Sequence, residues 1–160
     1  GRVYPDMCAV WSGAPFDPHF GHATFRLLEG ELPFINIPLS VDNSRKENRD
    51  GNHFYWDLRP DWIEADYYSI ANNIVTQILD RKPVVPVLQM VTHNDNDFTS
   101  TTNRVRNNFA IVLREITNAC RTHGLDPIGD TFSGVDKQLR KTNSKRQSFR
   151  YAHSSMITGQ

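Results

Sequence analysis

His93 is the first residue whose type and place suggest chemistry. It follows PVVPVLQMVT (83–92), an apolar run with no charged residue. An imidazole with an unperturbed pKa near ~6.5 can serve as acid or base at neutral pH. In α/β folds ligands gather at the carboxyl ends of strands, where the loops diverge into a crevice. Asp95 and Asp97 follow closely; both are placed to orient the ring, and Asp95 is also a candidate substrate contact. The plainer alternative is a loop histidine bonded to nearby backbone.

A second group is His19 and His22, an HxxH beside Asp17. Imidazoles and a carboxylate this close are potential ligands for zinc or a similar divalent metal, provided that they converge. Pro15, Pro18, Gly13 and Gly21 surround them, so no helix fixes their geometry. Loop histidines packed on aromatics are the competing reading. A third group is the aromatic cluster Phe54, Tyr55, Trp56 and Trp62. Tyr55 and Trp56 have the flat apolar faces and polar handles that stack on sugars, and equally those of ordinary core aromatics. P-loop, GxGxxG, GxSxG and Cys/His zinc spacings are all absent from the sequence.

The elements that must position these groups follow from periodicity. Tyr67, Ile70, Ala71, Ile74, Ile78 and Leu79 form an apolar stripe, predicting a helix over about 63–81 that Pro83 stops. Val105, Phe109, Val112, Leu113, Ile116, Ala119 and Cys120 predict a second over 102–122, capped by Ser100 or Thr101 and ended by Gly124. Residues 134–142 suit a small helix. Strands are expected at 7–11, 32–41, 83–92 and near 127–132. The polar stretch 41–52, with its Asp50-Gly51 turn signal, reads as a solvated loop. Strand and helix alternate from residue 32 onward. The expected fold is therefore α/β: part of a distorted (β/α) barrel, or a layered, largely parallel sheet with flanking helices. Residues 1–142 make one domain, and the basic 143–160 a loosely ordered tail.

Composition narrows the function. The chain carries 18 basic and 18 acidic residues, and this balance disfavours nucleic acid as a partner. No apolar run approaches the ~18–20 residues of a membrane span. The first residues lack the apolar core of a secretory signal, and they lack an initiator Met, as in a chain that begins partway through a longer product. Cys8 and Cys120 form no CxxC. Cys120 reads as a buried thiol, and the expected setting is reducing and cytoplasmic.

Several of these segments together resemble the C-terminal half of a polysaccharide (carbohydrate) deacetylase domain. LPFINIPLSV is similar to the family's strand after its central loop, and PDMCAVWSGAPFDPHFG to its short strand and loop. PVVPVLQMVTH resembles its late strand ending in Leu-x-His, and the helix 102–122 with HGLDPIGDTF its final helix and closing strand. The resemblance covers about 1–141. It implies a metal-dependent hydrolase of carbohydrate N-acyl groups on a (β/α) barrel, with His93 protonating the departing amine and Arg2 orienting a catalytic aspartate. The sequence departs from the family in lacking a TFDDG-like motif and the HxxxH after it, which supply the base and the metal ligands. The resemblance then requires a missing N-terminal segment, a homo-oligomeric mate, or a non-catalytic carbohydrate-binding or protein-interaction role.

Overall fold

The computed structural model describes residues 15–25, 28–49, 52–61, 65–93 and 97–142. Four strands and three helices lie among them. β1 (His19–Phe20) pairs antiparallel with β2 (Ile35–Asn36), and β3 (Val41–Arg49) pairs antiparallel with β4 (Asn52–Asp57). The helices are α1 (Tyr67–Arg81), α2 (Arg104–Thr122) and α3 (Phe132–Thr142). α1 is the middle layer, packed on β3 on one side and on α2 on the other.

The helices begin and end for local reasons. Asp66 caps α1, its carboxylate accepting from Ser69 N at 3.0 Å and Ser69 Oγ at 2.6 Å. Lys82 closes the helix in the left-handed region at φ 51°, donating to Ile78 O, and Pro83 bars continuation. Asn103 caps α2 by accepting from Arg106 N at 3.2 Å, in place of the expected Ser100 or Thr101. Gly124, at φ 72°, ends α2 in a Schellman turn: its N–H donates to Arg121 O and that of Leu125 to Cys120 O. The helical stripes meet in one core of Leu58, Tyr67, Ile70, Ala71, Ile74, Val75, Ile78, Val112, Ala119 and Cys120. Burial pushes the Cys120 thiol pKa up, as for an inert core cysteine.

The sheets correct the expected fold class. Both are two-stranded and antiparallel, and no parallel pair occurs among the described residues. The chain is therefore not a (β/α) barrel, nor a layered parallel sheet. Residues 83–92 and 125–131 carry neither helix nor strand. Pro83, Pro86 and Pro127 remove main-chain donors from those segments. Conversely, the stretch expected as a solvated loop forms β3. Its register to β4 runs from Val41↔Asp57 to Arg49↔Asn52, with an irregularity between Asp42 and Lys46. The Asp50-Gly51 signal falls between the two strands, outside the described residues, as do the strand expected at 7–11, Cys8, and the tail 143–160. Among the described residues no helix is long and apolar enough to cross a membrane.

Candidate functional site

The loop before β1 is tied to the end of α1 by a buried ion pair. Arg81 donates through Nε to both oxygens of Asp17 (3.2 and 3.1 Å) and through Nη2 to Oδ1 (3.0 Å). The Asp17 side chain is 3% exposed and that of Arg81 15%. The guanidinium also lies 5.1 Å from the ring centre of Phe16, a cation–π contact. His19 is buried beside this pair. Its Nδ1 donates to Asp17 O at 2.9 Å and its Nε2 faces Asn36 Nδ2 at 3.4 Å, so the ring spans from the loop to β2. His22 bonds within its own loop. Its Nδ1 accepts from Thr24 N (3.0 Å) and Phe25 N (3.1 Å), and its ring lies against Phe25.

These bonds bear directly on metal binding. The Asp17 carboxylate is committed to Arg81, and the His22 Nδ1 lone pair to two backbone donors. No group of three His, Cys, Asp or Glu side chains able to hold a metal ion occurs among the described residues. The described residues therefore do not fit the divalent metal implied by the sequence resemblance.

A second buried carboxylate went unnoticed in the sequence. Asp42, at the start of β3, has no solvent exposure. Its Oδ1 accepts from Ser44 N (3.0 Å), Ser44 Oγ (2.6 Å) and Gln77 Nε2 (3.3 Å), and its Oδ2 from Asn73 Nδ2 (2.8 Å). Gln77 Oε1 in turn accepts from Asn43 N at 3.4 Å. Asn73 and Gln77 stand one turn apart on α1, so both amides face the strand; that i, i+4 spacing was the available signal. At the same open end of the hairpin, Asp57 is 2% exposed and takes a bidentate bond from Arg59. Tyr67 Oη donates to Arg59 O at 3.2 Å. Burial, reinforced by the Asp61 carboxylate, pushes the Tyr67 pKa up to about 12.

His93 closes the segment after α1 and is exposed. That segment runs beside the one before β3: Gln89 N donates to Ser40 Oγ at 2.7 Å. The Gln89 amide, oriented nitrogen-inward, reaches Ile37 O at 2.9 Å and Pro38 O at 2.8 Å. Beyond His93, Asp97 holds the loop together, its Oδ1 accepting from Thr99 N (2.9 Å) and Thr99 Oγ1 (2.6 Å); these bonds keep its pKa below the usual carboxylate value. Trp56 packs against the core, and Tyr55 is half-buried, paired across the hairpin with Lys46. Trp56 thus has a packing role whatever else it contacts. Arg2 and Asp95 lie outside the described residues.

No family model, no curated protein and no solved structure matches the chain.

Proposed function

We propose that this chain contributes the proton-donor side of a deacetylase-type hydrolase acting on carbohydrate N-acyl groups. One observation supports this reading above others. Two of the segments that carry the resemblance, 32–41 and 83–93, are distant in sequence yet lie side by side through Gln89. The second of them delivers an exposed His93 to its end. In this reading the His93 imidazolium gives its proton to the nitrogen of the departing sugar amine as the carbon–nitrogen bond breaks. The proton prevents expulsion of an amide anion, which is the role of a general acid. Since the described residues do not fit a metal, the reading takes any metal ligands from outside them, and no step is assigned to those groups.

The test is acetate release from N-acetylglucosamine oligomers, with divalent metal added, by the full chain and by His93→Ala. The expected result is release by the wild type and a loss of about 10²–10⁴-fold in the variant at unchanged thermal stability. Full activity in His93→Ala, or no release by the wild type, overturns the reading.

A further inference from the structure

The equal totals of acidic and basic residues conceal an unequal distribution. Residues 1–136 hold 12 basic and all 18 acidic residues, a net charge of −6. Residues 137–160 hold six basic residues and no acidic one, a net charge of +6. The boundary falls inside α3. Asp136, the last carboxylate side chain, is bound by Arg140 Nε at 3.0 and 2.9 Å. Arg140 also donates to Pro33 O and lies 5.5 Å from the ring centre of Phe20, so it fastens α3 to the body of the fold. Val135 is buried and Leu139 half-buried on the inner side of the helix. Lys137 and Lys141, one turn apart, stand on the opposite side and are exposed. Lys145, Arg146 and Arg150 follow in sequence, with Phe149 and Tyr151 on either side of Arg150.

We infer that the outer face of α3, with the basic residues that follow it, binds the phosphate backbone of a single-stranded nucleic acid. Overall charge balance disfavours such a partner only where the two signs are mixed. Here six charges of one sign occupy one end of the chain, as in the basic arms that bind nucleic acid. Phosphates meet Lys137 and Lys141 on a helix held in place, and release of condensed counterions drives the binding. Aromatic rings beside an arginine are the groups on which unpaired bases stack. A membrane fits less well. The exposed apolar side chains near α3, Ile128 and Phe132, lie at its other end, among the carboxylates of Asp126 and Asp130. Inserting them would bring those carboxylates against the anionic headgroups that the lysines require. None of residues 83–93 takes part, so the site is independent of the hydrolase reading.

The test is fluorescence anisotropy of a labelled oligothymidylate, titrated with the full chain at several salt concentrations. Binding is expected, weakening with salt on a log–log slope of about −2 to −3, which is roughly 15–60-fold between about 50 and 200 mM. Lys137→Glu with Lys141→Glu should weaken binding by at least about tenfold at the lowest salt, and Lys137→Arg with Lys141→Arg should retain it. Both double variants should unfold at the wild-type temperature, because the two positions are exposed. The arginine pair separates lost charge from lost folding. Competition by polyglutamate and by phosphatidylserine vesicles separates the occupants, and the nucleic acid should bind more tightly than either. No binding at the lowest salt, an affinity indifferent to salt or to the charge reversal, or equal or tighter binding to vesicles or polyglutamate overturns the inference.

Discussion

Asp17 and Asp42 are both buried carboxylates, and they are held in opposite ways. Asp17 meets a guanidinium brought from the far end of α1. Asp42 meets amides and hydroxyls, with four donors around its two oxygens and no cationic side chain within ion-pair distance among the described residues. Burying a carboxylate is costly unless its charge is paired or its lone pairs are filled. The first site solves this by charge and the second by saturation. The Asp17 pair joins a loop to a helix and depends on one partner. The Asp42 network joins β3 to α1 and divides its hold among three side chains. Neither carboxylate offers an open coordination position, so both are read as structural.

The largest expected effect comes from stranding the first carboxylate. Arg81→Ala should destabilise the fold by about 3–5 kcal/mol, because Asp17 stays buried without its cation. Urea unfolding measures this, and a loss within error of zero would mean that the pair is not formed in solution. The amide-held site should be more forgiving: Asn73→Ala removes one donor of four and should cost about 1–3 kcal/mol. If Asn73→Ala equals or exceeds Arg81→Ala, the contrast between the two sites fails.

Tyr67 adds a pH signature beside the Asp57–Arg59 pair. Its folded pKa is raised from 10.0 to about 12. The unfolded chain therefore loses the phenolic proton first. The stability from the neutral phenol is fully present below pH 10 and is lost as pH rises from 10 toward 12. Wild-type stability should fall across that window more steeply than that of Tyr67→Phe, as read by denaturant midpoints at each pH. Equal slopes would remove Tyr67 as the cause.

The sequence was most legible where structure is local. The stripes of α1 and α2 appear as 3.6-residue periods, and Pro83 and Gly124 mark their ends within the chain itself. What could not be read depends on partners far away in sequence. β3 is polar and charged, and becomes a strand because β4, with Tyr55 and Trp56, pairs beside it; pairing context overrides propensity. Residues 84–92 have strand-like composition, but a ladder needs a neighbour as well. The expectation of a parallel sheet failed at that point. Among the candidate site residues, His93 follows an apolar segment, but that segment is not the strand expected there. The Asp17–Arg81 pair had no local sign, since 64 positions separate its members. The HxxH spacing invited a metal reading because sequence shows which groups are near, but not which of their lone pairs are already used.

The claim that the His19–His22 loop is a structural clasp and not a metal centre is tested most directly by elemental analysis of the purified chain. The comparison is with His19→Ala and His22→Ala, with thermal unfolding of all three. The account predicts that metal content does not change in either variant. It also predicts that His19→Ala, which loses the link between the Asp17 carbonyl and β2, unfolds at a lower temperature. Near-stoichiometric zinc, iron, cobalt or nickel in the wild type that disappears in both variants would contradict it.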